Sequence, residues 1–361
     1  MSQTVAEPAV APHRPGAAPE AGLLRRLLAR VPRSESFWGW AGPLVVTLLA
    51  GVQRFWHLDR PHKLIFDETY YVKEGVSYLK YGVEMTLKES LAKDPDKRND
   101  AADLLFRAGN WDIFSHEPDR VVHPMVGKWM IAFGEWLFGP SSSLGWRFSV
   151  ALCGTLAVLM VGRIAFRLFR SALLGTLASL LLAVDGLEFV QSRTGILDMF
   201  VMFWALAAFG CLLVDRDRAR ERLAARQVTG RLGPWLGVRP WRIAAIVCLG
   251  LCTGVKWSGI YFTAAFLAFS FLWDLGARRA SGDRRWLLSG LVKDGVPAFL
   301  LTLVLYPAVY VATWVTWFTS SNGWNRQWGA EHPAEAGWTW VPDALRSLWH
   351  YHAETDRKSV V

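Results

Sequence analysis

The chain has 361 residues, of which 52% are apolar, with 20 Trp, 20 Phe and a formal net charge of +9. That length permits two or three soluble domains, but the apolar residues cluster into runs of about 16 to 24, close to the roughly 20 that cross a bilayer as a helix. The positive charge is mostly Arg in short blocks beside these runs, with no aromatic-interleaved basic domain, which argues against nucleic acid as a partner.

In chain order, residues 1–36 are rich in Ala, Pro and Arg with no continuous apolar run. They read as a disordered basic tail rather than a cleavable signal peptide. A first transmembrane helix is predicted over 37–56. Residues 57–144 form a long polar loop that includes an amphipathic segment over 123–139. Six further spans are predicted within 145–318: 146–165, 172–189, 197–214, two short helices within 243–273 turning near Lys256-Trp257-Ser258, and 296–317. The 243–273 stretch is too long for one ordinary span, hence the division. After the last span, Trp324, Trp328, Trp338, Trp340 and Trp349 suit an interfacial segment over 319–361. No internal repeat is visible. The expected fold class is an all-α polytopic membrane protein, with about seven transmembrane helices and a large first loop.

The charges orient this topology. Arg14, Arg25, Arg26, Arg30 and Arg33 lie in the tail, and Arg163, Arg167 and Arg170 follow the second span. Eight Arg fall between Arg216 and Arg242, and Arg278, Arg279, Arg284, Arg285 and Lys293 precede the seventh span. All fall on one side, whereas residues 57–122 carry ten Lys/Arg against thirteen Asp/Glu. The positive-inside rule then places the tail in the cytoplasm and the first loop outside. Cys153, Cys211, Cys248 and Cys252 all lie in apolar segments and read as inert thiols. No His/Asp/Glu spacing resembles a dedicated metal cage, so no tightly bound metal is expected.

Within the loop, Asp67 and Glu68 are adjacent carboxylates at the membrane edge, and such groups either face water or do chemistry. On a helix their side chains would diverge by about 100°, so they cannot easily serve the same atom. The plain alternative is that they cap a helix or pair with Lys63 and Lys73. Lys256, near a hydrophobic apex beside Trp257, either snorkels to the headgroups or holds an anion. Arg147 and Arg193 would reach the same outer face; Arg193 could instead pair with Asp198 or Glu188. Asp185 and Glu188 fall near the outer end of the third span, to line a cavity or mark the interface. His123 and Lys128 lie on the amphipathic segment, where a lone His is more often structural than catalytic.

An ordered set of short motifs runs through the chain: Phe66-Asp67-Glu68 with Tyr70-Tyr71; His123-Pro124-Met125-Val126-Gly127-Lys128; Gly145-Trp146-Arg147; Ser192-Arg193-Thr194-Gly195-Ile196-Leu197-Asp198; and Val255-Lys256-Trp257-Ser258-Gly259. In this order, across most of 37–350, they resemble the protein O-mannosyltransferase family in its actinobacterial form. One departure is Met125, where the family usually has a second proline. The resemblance implies the fold of the C-type glycosyltransferases and transfer of mannose, with inversion, from polyprenyl-phosphate-mannose to Ser or Thr hydroxyls of secreted proteins. It implies Asp67 as base and Glu68 orienting the acceptor or the sugar. Lys256 would hold the donor phosphate, with Arg147, Arg193, His123 and Asp198 as further substrate-binding residues.

It also implies a plasma-membrane enzyme with no tightly bound cofactor. Its partners would be the lipid-linked donor, secreted acceptor proteins, the secretion translocon and membrane lipids. The chemistry is consistent: a Ser hydroxyl is a poor nucleophile that needs a proton acceptor, while a phosphate leaves as an anion and needs cations rather than a general acid. Two rival readings are a related lipid-phosphate glycosyltransferase acting on a lipid or cell-wall glycan, and a transporter. The second predicts inverted repeats and mid-membrane ionisable groups, which the sequence lacks. Family members continue beyond the equivalent of 350–354 with further helices. The chain is therefore expected to be a truncated piece lacking part of the site wall, with its own activity in doubt.

Overall fold

The computed structural model describes residues 32–226, 232–334 and 338–358, with side chains to 354 in the last helix. The predicted N-terminal tail lies almost wholly outside them. The first long helix, α1 (Arg33–Phe55), leads into a capping region. This comprises α2 (Glu68–Tyr81), β1 (Met85–Leu87), α3 (Arg98–Arg107), β2 (Phe114–Pro118) and α4 (Val126–Phe138). The bundle follows: α5 (Ser143–Phe169), α6 (Ala172–Ala183), the short α7 (Gly186–Gln191), α8 (Asp198–Ala225), α9 (Pro240–Val255) and α10 (Gly259–Ala280). Next is α11 (Trp286–Ala312), with a π-helical turn at Leu291–Gly295. The chain continues through α12 (Val315–Thr319), α13 (Trp328–Glu331) and α14 (Asp343–Lys358).

Helices α5, α8, α10 and α11 are each long and apolar enough to cross a membrane. At 1.5 Å per residue, the 27 residues of α5 reach about 40 Å. The protein is thus a multi-pass membrane protein, with four helices among the described residues that are long and apolar enough to cross. The predicted third span divides, because Asp185 accepts a hydrogen bond from the Glu188 N–H (2.7 Å) and starts α7. That leaves α6 with 12 residues, about 18 Å long and short of a bilayer core. The 243–273 stretch breaks at Lys256, whose extended backbone ends α9. The fold is helical as expected, and its one small ribbon among the described residues is the antiparallel pair of β1 and β2 in the cap.

Close approach between helices depends on glycine. A Cβ on Gly154 would sit 2.4 Å from Ser192 Cβ, and one on Gly134 would sit 2.2 Å from the Gly145 carbonyl oxygen. Small residues let membrane helices pack backbone to backbone in this way. The core is continuous from cap to bundle: Val72, Val76, Phe106 and Ile113 pack with Trp146, Val150, Leu197 and Phe200. The position of α2 is therefore fixed relative to α5 and α8. Leu48, Leu49 and Val52 of α1, Leu173 and Leu181 of α6, and Leu303 and Val304 of α11 face outward. Apolar faces of this extent are at home against lipid.

The two ends of the bundle differ. At the end away from the cap, Arg239, just before α9, and Arg242 within it bridge Asp215 of α8 and Asp274 of α10 at 2.6–3.1 Å. Beside them Arg278 pairs with Asp294. Three arginines counted as free positive charge are thus neutralised, and the basic excess at this end is smaller than the sequence count. The cap end carries the turns before α2, α4, α8 and α10, where the candidate residues gather.

Candidate active site

The segment entering α2 makes a tight turn in which Phe66 adopts the left-handed region (φ 53°). A bulky residue pays about 1–2 kcal/mol for this conformation, so it persists only where neighbours hold it. Glu68 is one such neighbour, accepting a hydrogen bond from the Ile65 N–H at 3.0 Å. Asp67 precedes the helix and is half-buried, whereas Glu68 opens it and is fully buried.

Their environments are as different as adjacent helical positions allow. Glu68 accepts from Arg147 Nε (2.7 Å), Arg147 Nη2 (2.8 Å) and the Gly195 N–H (2.8 Å). The remaining Arg147 donors go to the carbonyls of Leu58, Pro61 and Lys63. Glu68, expected to orient acceptor or sugar, is turned inward and saturated. Arg147, expected among the substrate-binding residues, spends its guanidinium on Glu68 and on the 58–63 loop. Arg193 is likewise committed: Nη1 donates to the carbonyls of Gln53, Arg54 and Trp56, and Nη2 to His57. It caps the orphan carbonyls at the end of α1. It pairs with neither Asp198 nor Glu188; Glu188 binds Arg54 instead. All three residues build the site without facing into it.

Asp67 faces the other way. Tyr71, one helical turn on, lies close enough to feel its charge. Burial and then the Asp67 charge push the Tyr71 phenol well above its ordinary range, so it remains a donor. The Tyr71 ring lies 6.1 Å from that of His123. Burial, Lys128 and Lys256 push His123 down to about 4, against an opposing pull from Asp198, so its imidazole is neutral at physiological pH. Lys256 pairs with Asp198 at 3.1 Å, and this pair is accessible, with side chains 31% and 49% exposed. Asp67, Tyr71, His123, Asp198 and Lys256 thus converge from four chain segments, close enough for their charges to act on one another.

Lys73 does not pair with the acidic couple; it holds Asp103 at 2.6 Å. Lys128 lies fully buried below His123, between Glu74 (3.0 Å) and Glu84, with the Tyr78 hydroxyl donating to Glu84 at 2.8 Å. Among the described residues, no group of three or more His, Cys, Asp or Glu could hold a metal ion. Sequence reasoning gave Tyr71 no role, although its i+4 spacing from Asp67 on one helix face was a usable signal. The Glu74–Lys128–Glu84 network had no such signal, since its members come from three separated segments.

Comparison with known proteins identifies the family of this chain. The family described as dolichyl-phosphate-mannose-protein mannosyltransferase matches residues 121–316. A polyprenol-phosphate-mannose–protein mannosyltransferase of Mycolicibacterium smegmatis is 40% identical over 322 residues, covering 87% of this chain and 57% of the relative. A protein of the same description from Mycobacterium tuberculosis is 38% identical over 326 residues, covering 88% and 56%. The chain therefore spans a little over half the length of the curated relatives it matches. In fold it resembles the Saccharomyces cerevisiae protein O-mannosyltransferase Pmt1-Pmt2 complex bound to the sugar donor, with a TM-score of 0.52 at 14% identity over 84% of this chain and 37% of that one.

Proposed function

This chain belongs to the dolichyl-phosphate-mannose-protein mannosyltransferase family, and from that premise we propose that it carries the reacting centre of an inverting protein O-mannosyltransferase. The donor is polyprenyl-phosphate-mannose and the acceptor a Ser or Thr hydroxyl of a secreted protein. Asp67 is the base. It takes the hydroxyl proton as the acceptor oxygen bonds to the anomeric carbon and the bond from that carbon to the phosphate oxygen breaks. The electron pair leaves on polyprenyl phosphate, whose charge Lys256 stabilises. Tyr71, protonated beside Asp67, and neutral His123, whose ring lies 6.1 Å from that of Tyr71, flank the base.

The observation that carries this reading is that Lys256 keeps an accessible partner in Asp198 and Asp67 is only half-buried, whereas the polar atoms of Glu68, Arg147 and Arg193 are spent within the fold. An exposed Lys–Asp pair is worth about 0–1 kcal/mol, so an incoming phosphate exchanges with Asp198 at little cost. The plasma membrane is the proposed location, with the cap outside and the Arg-rich end in the cytoplasm, as the charge bias supports. The test is transfer in membranes, supplying radiolabelled polyprenyl-phosphate-mannose and a Ser/Thr-rich peptide to the chain and to Asp67→Asn. Label in the peptide that vanishes in the variant supports the assignment; equal transfer by both rejects it.

A further inference from the structure

Consecutive residues of α14, Tyr351 and His352, reach two different loops of the site. Tyr351 is buried, and its hydroxyl donates to the Val121 carbonyl, two residues before His123. His352 Nδ1 lies 2.6 Å from the Leu348 carbonyl oxygen. Only a protonated nitrogen can sit against a carbonyl, so Nε2 is the acceptor. The Tyr310 hydroxyl then donates to Nε2 at 2.7 Å, and Trp257 Nε1–H donates to the Tyr310 oxygen at 3.0 Å. The His352 ring also stacks on Trp257, with centroids 5.3 Å apart and planes 19° off parallel. Trp314, fully buried, lies 4.9 Å from the Tyr351 ring and 5.2 Å from that of His352, so both are held from behind.

Trp257 directly follows Lys256, whose extended backbone ends α9. Neighbouring side chains on a helix diverge by about 100°, which lets one turn of α14 hold two loops at once. We propose that Tyr351 and His352 form a clasp that sets the spacing between the His123 loop and the Lys256 turn, making them positioning residues for the donor site. The helix that bears them lies outside the stretch matched by the family. The inference rests on the reading of Lys256 as the phosphate cation.

Hydrogen exchange of the reconstituted chain tests the clasp independently of that reading. Tyr351→Phe removes one hydroxyl and should raise exchange selectively in 119–125; His352→Ala should do so in 255–259, each by about tenfold as local opening becomes easier. Donor affinity, measured with polyprenyl-phosphate-mannose, should fall by about tenfold in His352→Ala, with little further loss when Lys256→Ala is added. Unchanged exchange in both loops overturns the clasp. Looser loops with donor affinity lost in Lys256→Ala but retained in His352→Ala overturn its positioning role. Looser loops with donor affinity retained even in Lys256→Ala uphold the clasp and overturn the reading of Lys256. Thermal unfolding of Tyr351→Phe controls for global loss of structure.

Discussion

Glu68 and Arg147 meet in a buried, bidentate ion pair, Nε to Oε1 at 2.7 Å and Nη2 to Oε2 at 2.8 Å, that ties the first turn of α2 to α5. The same carboxylate accepts from Gly195 and from Ile65, so it fixes both the α7–α8 turn and the strained Phe66 conformation. Glu68 thereby fixes the turn that carries Asp67, its neighbour. Removing one partner strands a buried charge. Arg147→Ala should therefore cost about 3–5 kcal/mol of stability, read as a lowered midpoint of thermal unfolding in detergent. Glu68→Gln, which keeps shape and some hydrogen bonds, should cost less; equal midpoints for wild type and Arg147→Ala would remove the pair from the fold.

Asp67→Asn should behave differently from either. Its carboxylate is half-buried and turned away from the Glu68–Arg147 pair, so the fold should persist. Loss of a general base predicts a fall in turnover of about 10²–10⁴ with donor affinity within a few-fold of wild type. Single-turnover transfer together with donor binding checks this, and near-wild-type turnover would reject the base assignment.

Lys256→Ala should weaken donor binding by about tenfold or more, corresponding to at least 1.4 kcal/mol, while leaving the unfolding midpoint nearly unchanged. The reason is that its partner Asp198 is half exposed, and such pairs contribute little to stability. Titration with polyprenyl phosphate reads the effect. Unaltered affinity would return Lys256 to the role of a headgroup anchor.

His123 gives a pH prediction with a definite sign. Its folded value is pushed down to about 4 from an ordinary 6.5. Between those values the unfolded chain binds the extra proton and the folded one does not, so stability is full above pH 6.5 and falls as pH drops toward 4. His123→Gln should flatten that part of the stability profile. Because the imidazole stays neutral from pH 5 upward, transfer between pH 6 and 8 should show no inflection that His123→Gln abolishes.

Much of the architecture was legible because a bilayer leaves few options. Apolar runs of span length, Arg blocks on one side and Trp near the last turns mark membrane helices directly, since backbone groups in lipid must bond within their own segment. The break at Lys256-Trp257-Ser258 was legible for the same reason, a run too long for one crossing. The division at Asp185 was less so: a single capping side chain cut a run whose hydropathy is continuous across it.

The candidate site divides along a different line. Local spacing alone set Asp67 and Glu68 on diverging faces, and motif order alone brought Asp67, His123, Asp198 and Lys256 into one reading. Which of the charged residues stay accessible was decided only by the tertiary structure. Arg147, Arg193 and Lys256 look alike in sequence, each a cation beside an apolar segment. They part company because Arg147 finds a buried carboxylate and Arg193 finds the backbone carbonyls that end α1, in segments about 80 to 140 residues distant, whereas Lys256 finds one accessible aspartate. A desolvated cation must fill its donors wherever the chain brings acceptors. The identity of those acceptors is a property of packing, not of the residues that flank the cation in sequence.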